Sequence, residues 1–160
     1  MTIRPNPVFL TIEEMALVGT SSTYDSQAAA SAGIPQQWRA FRKAHPALEN
    51  SAKFYGASPC TKDRKIHYLT GIADEGATGM ANGERLTLEA GEYAVIPVDD
   101  PAQLRDTWVW LLTDWLATSG RREKHAPEFE RFTSISEDGT PIGPVEIWIP
   151  LEPLSTNGRT

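Results

Sequence analysis

The stretch Glu128-Phe129-Glu130-Arg131-Phe132 places a carboxylate, Glu130, inside a strand-like run of large and aromatic residues. Side chains alternate along a strand, so Glu130 and Phe132 share one face and Phe129 takes the other. With Phe129 packed under a helix, Glu130 and Phe132 face away from it. In residues 145–151, Val145, Ile147, Ile149 and Leu151 form the row expected under a helix, which leaves Trp148 on the face expected for Glu130. In the first half of the chain, matching Phe54 to Phe129 matches Tyr55 to Glu130, and Tyr68 follows in His67-Tyr68-Leu69-Thr70-Gly71. These residues compose a candidate box, with Tyr55, Tyr68, Phe132 and Trp148 as walls and Glu130 as floor.

A box of that kind has definite chemistry. A carboxylate among aromatic rings is poorly solvated, so its pKa rises. A planar organic cation entering the box supplies the missing counter-charge. It also gains ring-quadrupole attraction of about 0.5–2 kcal/mol per good contact. A partly buried ion pair at 4 Å carries a Coulomb energy of roughly 4 kcal/mol at an effective dielectric of 20, less desolvation. Lipophilic cations lose less hydration than small ones, so the expected ligand is organic, flat or bulky, and cationic.

Other reactive side chains point elsewhere. His45, His67 and His125 lack metal-ligand spacing, and Cys60 has no base nearby in sequence. Asp99-Asp100 followed by Pro101 reads as a helix start rather than an acid pair. No glycine pattern suited to phosphates occurs. No metal and no cofactor are expected.

The 160 residues suit a single domain over 1–160 that buries roughly two-thirds of its extended-chain surface. Apolar residues make up 40% and charged residues 22%, an ordinary globular balance. Net charge is −6, and the lysines and arginines are scattered, so no basic face is offered to nucleic acid as a direct partner. One cysteine excludes an internal disulfide. No apolar run reaches membrane-spanning length and no signal segment opens the chain, so a cytoplasmic location is expected. Residues 155–160 read as a frayed tail.

The elements that must hold Glu130 in place fall into two similar sets. A strand region over 8–18, broken at Thr11-Ile12-Glu13-Glu14, precedes a polar stretch over 21–27. A helix follows over 35–44, where Ile34, Trp38 and Phe41 share one face, and then strands over 53–58 and 65–72. The second set has a strand over 92–98 and a helix from Pro101. That helix carries the stripe Leu104, Trp108, Leu111 and Trp115, read as packing on the sheet, and Gly120 ends it. Strands over 128–135 and 144–151 close the set, joined by the turn Ser136-Glu137-Asp138-Gly139-Thr140. The expected fold class is α+β: two pseudo-symmetric βαββ repeats, about 7–72 and 84–151, joined by a linker over 73–83. They form a curved antiparallel sheet with helices on one side and a central ligand cleft where the halves meet.

The chain also resembles the GyrI-like small-molecule-binding family, which occurs as the effector-binding domain of AraC-type and MerR-type multidrug-responsive transcription activators. The resemblance runs over about 7–151. Its carriers are Ile34-Pro35-Gln36-Gln37-Trp38-Arg39-Ala40-Phe41, Phe54-Tyr55-Gly56, His67-Tyr68-Leu69-Thr70-Gly71-Ile72 and Gly91-Glu92-Tyr93-Ala94-Val95. Trp115-Leu116 with Ser119-Gly120, Pro127 to Phe132, and Ile147-Trp148-Ile149-Pro150-Leu151 complete the set.

The resemblance implies a cleft whose acidic residue, by position, is Glu130, and it implies binding of lipophilic or cationic compounds. Tyr93 joins the candidate ligand-binding residues on this ground. Two departures stand out. Phe132 occupies a position that is Tyr in many relatives, and Pro97-Val98-Asp99-Asp100 replaces a turn containing His or Gly. A helix-turn-helix is not foreseen before the first strand, so any link to transcription would run through a separate partner chain. Two rival functions follow from the same resemblance. One is hydrolysis of strained cyclopropanoid electrophiles, with Glu130 as general acid or base. The other is a protein-interaction module that inhibits a larger enzyme.

Overall fold

A computed structural model of the chain describes residues 6–46, 48, 53–59, 61, 63–74 and 83–154. The fold class is α+β, with one open eight-stranded antiparallel sheet and two long helices on one of its faces. The strands are β1 (Val8–Ile12), β2 (Met15–Tyr24), β3 (Phe54–Ser58), β4 (Ile66–Ala73), β5 (Glu84–Leu88), β6 (Gly91–Val98), β7 (Glu128–Ile135) and β8 (Pro141–Pro150). Their order in the sheet is β1-β6-β8-β7-β3-β4-β2-β5.

Each half contributes one strand more than the βαββ pattern. The region over 8–18 is two strands that do not pair with each other, because β1 joins β6 and β2 joins β4 and β5. The second half gains β5, whose five residues are too few to show a period. The segment expected as a linker begins inside β4 at Ala73, and most of it, with Cys60 and residues 155–160, lies outside the described residues.

Connectivity forces the sheet to curl. Only Glu13 and Glu14 separate β1 from β2, yet these are the first and seventh strands of the sheet. Glu89 and Ala90 do the same for β5 and β6 at the eighth and second positions. Three virtual bonds reach about 11 Å at most, so the two ends of the sheet must approach each other. The inside of the curl fills with Leu17, Tyr55, Ala57, Leu69, Leu88, Tyr93, Val95, Phe129 and Trp148. Phe129 and Trp148 stack there at 5.2 Å with 15° between planes.

The helices cover the outer face. Helix α1 (Gln27–Ala44) starts eight residues earlier than the sequence pattern predicts. Its first two turns are alanine-rich and carry no apolar stripe, but Ser26 caps them by accepting the Ala29 N–H at 3.0 Å. Pro35 sits inside the helix, where the carbonyl of Ser31 loses its usual donor. Trp38 and Phe41 anchor α1 on Val18, Phe54, Phe132 and Val145.

Helix α2 is composite. A 3-10 turn at Pro101–Gln103, capped by Asp100, leads into α-helix over Leu104–Trp110, π-helix over Leu111–Trp115 and a last α turn at Leu116–Ser119. Gly120 ends it in the left-handed conformation at φ 76°, as its position in the sequence predicts. Leu111 seats α2 on Ile96, Ile147 and Ile149.

The register relates the halves by a pseudo-two-fold axis between β3 and β7, at the cross-strand pair Gly56 and Glu130. Under it Tyr55 corresponds to Phe129, and Gly56 to Glu130. The sequence matching of Phe54 to Phe129 is therefore off by one residue, and a one-residue slip moves every side chain of a strand to the opposite face.

Because Trp148 fills the closed side of the curl, Trp148→Ala should cost roughly 3–5 kcal/mol of unfolding free energy. Urea unfolding measures this, and an effect below 1 kcal/mol would mean that the interior of the curl is not a packed core.

Candidate ligand-binding cleft

A cleft of about 1150 Å³ opens between α1 and α2, over the centre of the sheet. Its floor carries Gly56, Tyr68, Glu130 and Phe132. Ile34, Pro35 and Trp38 come from α1, and Trp108, Val109 and Leu112 from α2. The β7–β8 hairpin reaches the α1 side, where Arg39 Nε donates to the Asp138 carbonyl at 3.1 Å.

Glu130 faces the helices. Its cross-strand neighbours are Gly56 and Ile147, and Ile147 packs under α2. The expectation that Phe129 lies under a helix and Glu130 on the far face is reversed, while Val145, Ile147 and Ile149 do form the helix-facing row. The candidate residues accordingly divide. Glu130, Tyr68 and Phe132 meet in the cleft. Tyr55, Tyr93 and Trp148 lie behind the sheet, inside the curl, with no line to Glu130. The one-residue matching error accounts for Tyr55. Trp148 does lie on the face away from the helices and misses Glu130 because Glu130 is on the helix side; Tyr93, a candidate through the family resemblance, lies in the same core as Trp148.

Glu130 is 9% exposed. Tyr68 Oη donates to its Oε1 at 2.8 Å, and Trp108 Nε1 donates to its Oε2 at 2.7 Å. Trp38 Nε1 in turn donates to Tyr68 Oη at 3.3 Å. No lysine or arginine forms an ion pair with Glu130 among the described residues. Burial raises its pKa, and the hydrogen bonds from Trp108 and Tyr68 partly offset the rise. Burial also lifts the Tyr68 phenol well above its usual range, with the Glu130 charge adding to the effect. The proton of Tyr68 therefore stays on Tyr68, which acts as a fixed donor.

Trp38 and Trp108 have a second role beyond the core packing that their helical spacing suggests. A partly buried indole N–H seeks an acceptor, and a glutamate on the strand beneath two tryptophan-bearing helices supplies one. Gly56 is the other residue that pattern reading passed over. A Cβ at this position would lie 1.8 Å from the Tyr68 hydroxyl oxygen, so only glycine lets Tyr68 cross to Glu130.

A second carboxyl lies two residues along the same face. Glu128 is pushed up to about 8, first by burial, then by its hydrogen bond to and charge repulsion from Glu123, and then by Glu130. Its Oε2 is buried with no hydrogen-bond partner. Among the described residues no group of three or more His, Cys, Asp or Glu could hold a metal ion.

Two outcomes follow. Gly56→Ala should destabilise the fold by about 1–3 kcal/mol, and combining it with Tyr68→Phe should cost less than the two single effects added. Strict additivity in chemical denaturation would show that the two side chains do not compete for the same space. Glu128 holds a proton in the folded state up to pH about 8, against 4.5 for an ordinary glutamate. Its contribution to stability is complete below the lower value and is lost as pH rises through the higher. Unfolding free energy should therefore fall between about pH 4.5 and pH 8 and level off above, and Glu128→Gln should flatten that fall; an unchanged slope would contradict the assignment.

The GyrI-like small molecule binding domain is the family whose model matches residues 5–152. Among curated proteins nothing matches. Among solved structures, SAV2435 bound to tetraphenylphosphonium is 18% identical with a TM-score of 0.75, over 97% of this chain and 99% of that one. An integron cassette protein, VCH_CASS2, from the mobile metagenome of Vibrio cholerae is 16% identical with a TM-score of 0.70, over 93% and 97%. The EcmrR–DNA complex contains a chain 14% identical with a TM-score of 0.60, over 92% of this chain and 57% of that one. At these identities the likeness is one of fold.

Proposed function

This chain belongs to the GyrI-like small-molecule-binding family, and from that premise we propose that it binds lipophilic organic cations, with Glu130 as the counter-charge. The observation that carries this reading is a carboxylate at the bottom of an apolar cleft, held by two neutral donors and paired with no cation among the described residues. Two hydrogen bonds orient the carboxylate without neutralising it. A buried charge left in that state costs free energy, and an entering cation recovers it. The walls favour a greasy ligand. Val109 and Leu112 are large apolar side chains left exposed on the α2 side, while Trp38 and Trp108 offer ring edges and faces. SAV2435, which shares the fold, was solved with tetraphenylphosphonium, a cation without hydrogen-bond donors. A site built on rings and one charge suits that chemistry.

The residues assigned to the ligand are Glu130, Tyr68, Phe132, Trp38 and Trp108. Tyr55, Tyr93 and Trp148 are assigned to the core behind the sheet. Glu130 holds its charge ready, and Tyr68 and Trp108 fix its rotamer.

Titrating a fluorescent lipophilic cation into the protein and into Glu130→Gln tests this. The variant should bind roughly 10- to 100-fold more weakly, about 1.4–2.8 kcal/mol. For the unaltered protein, affinity should climb as pH rises through the elevated Glu130 pKa, because the proton and the cation compete for one carboxylate. Equal affinities for protein and variant would remove Glu130 from the site.

A further inference from the structure

We propose that the molecule held in this cleft is amphoteric. It is an organic cation that also bears a carboxylate or comparable anionic group, with the cation over Glu130 and the anion at the mouth, between Arg105 and Arg39. The inference rests on the cation reading of Glu130 and adds the other end of the ligand.

Glu130 is at the floor and buried, whereas Arg105 and Arg39 line the same cleft and are exposed. Arg105 precedes Trp108 by three positions on α2. Such residues stack on one helix face, roughly 4.5 Å apart along the axis. Trp108 reaches Glu130 at 2.7 Å, and Arg105 lies on the same wall, one turn nearer the start of α2 and exposed. On the opposite wall, Arg39 follows Trp38, whose indole joins the Tyr68–Glu130 chain.

The two arginines are under-used. Arg85, Arg121 and Arg131 each pair with a carboxylate. Arg105 makes no hydrogen bond or ion pair among the described residues, and Arg39 gives only its Nε, to a backbone carbonyl. Asp138, whose carbonyl Arg39 meets, is engaged by Ser136 and Thr140 and keeps its pKa below the usual range chiefly through them, with the Arg39 charge adding least. Lys65 and Lys124, also on the lining, are matched to Asp25 and Glu89. Glu123 and Glu128, also on the lining, are hydrogen-bonded to each other, which leaves the two guanidinium groups on the exposed lining and Glu130 on the floor as the charges open to a ligand. A simple cation leaves the two guanidinium groups without a counter-charge, and a simple anion meets like charge at the bottom. A molecule with both groups at opposite ends satisfies each, and the planar guanidinium fork suits a carboxylate.

Rhodamine B and its ethyl ester test this, because they share one cationic ring system and differ only in the free carboxylate. Anisotropy titrations of the full chain at low salt should show the acid binding about three- to tenfold tighter than the ester. Arg105→Gln should bring that ratio toward one, and so should added salt. An ester that binds as tightly as the acid, or a ratio that survives Arg105→Gln combined with Arg39→Gln, overturns the proposal. Glu130→Gln separates the two levels of the argument. Weaker binding of both dyes with the ratio kept supports both levels. Unchanged binding of both dyes removes the cation reading, and this inference with it.

Discussion

A single carboxylate, largely buried at the floor of a cleft, organises this molecule. Glu130 lies on the helix-covered face of the sheet, 9% exposed, between strands that contribute Gly56 on one side and Ile147 on the other. Its oxygens are met by a phenol and an indole, which orient it without neutralising it. Much of the surroundings follows from that arrangement. Tyr68 can cross to the carboxylate only because position 56 has no side chain, and Trp108 reaches it only because α2 runs along the same face of the sheet. Among the described residues, the cleft between α1 and α2 gives the approach to it.

The fold supplies this asymmetry from symmetric parts. The pseudo-two-fold axis passes between Gly56 and Glu130, so the position that bears the acid in one half is empty in the other. Tyr68, the donor to Glu130, corresponds through the β4 and β8 registers to Val145. The acid is thus contributed by the second half and its phenol by the first. Two identical halves would bring two carboxylates face to face across the axis, where like charges repel. The exchange of β1 and β5 between the halves closes the curl and turns the rings behind the sheet into packed interior.

Much of this was legible in the residues. The α+β class, the helix at Pro101 with its Asp100 cap, the Gly120 ending and the closing strands all follow from local chemistry that tertiary contacts did not override. Glu130 stood out because a charged residue among rings on a strand needs a reason. The face it occupies was not legible. It depends on which of Phe129 and Glu130 packs under a helix, and alternation along the strand does not choose between them. That choice puts Trp148 beside the acid, and aligning Phe54-Tyr55 with Phe129-Glu130 puts Tyr55 there, whereas the true counterpart of Glu130 is Gly56, which leaves no trace in a hydrophobic pattern. The early turns of α1 were hidden by their alanines, which carry propensity but no stripe, and β1 and β5 by their brevity. The roles of Trp38 and Trp108 needed the three-dimensional meeting of two helices with one strand.

The central claim is that Glu130 exchanges a proton-like need for a ligand's charge. The most direct measurement is the pKa of the Glu130 carboxyl, followed by the carbon-13 shift of its side-chain carboxyl in NMR, with and without a saturating lipophilic cation. The account predicts a value above the ordinary carboxylate range in the free protein and a clear fall when the cation binds. A value that stays where it was, or rises, would contradict it.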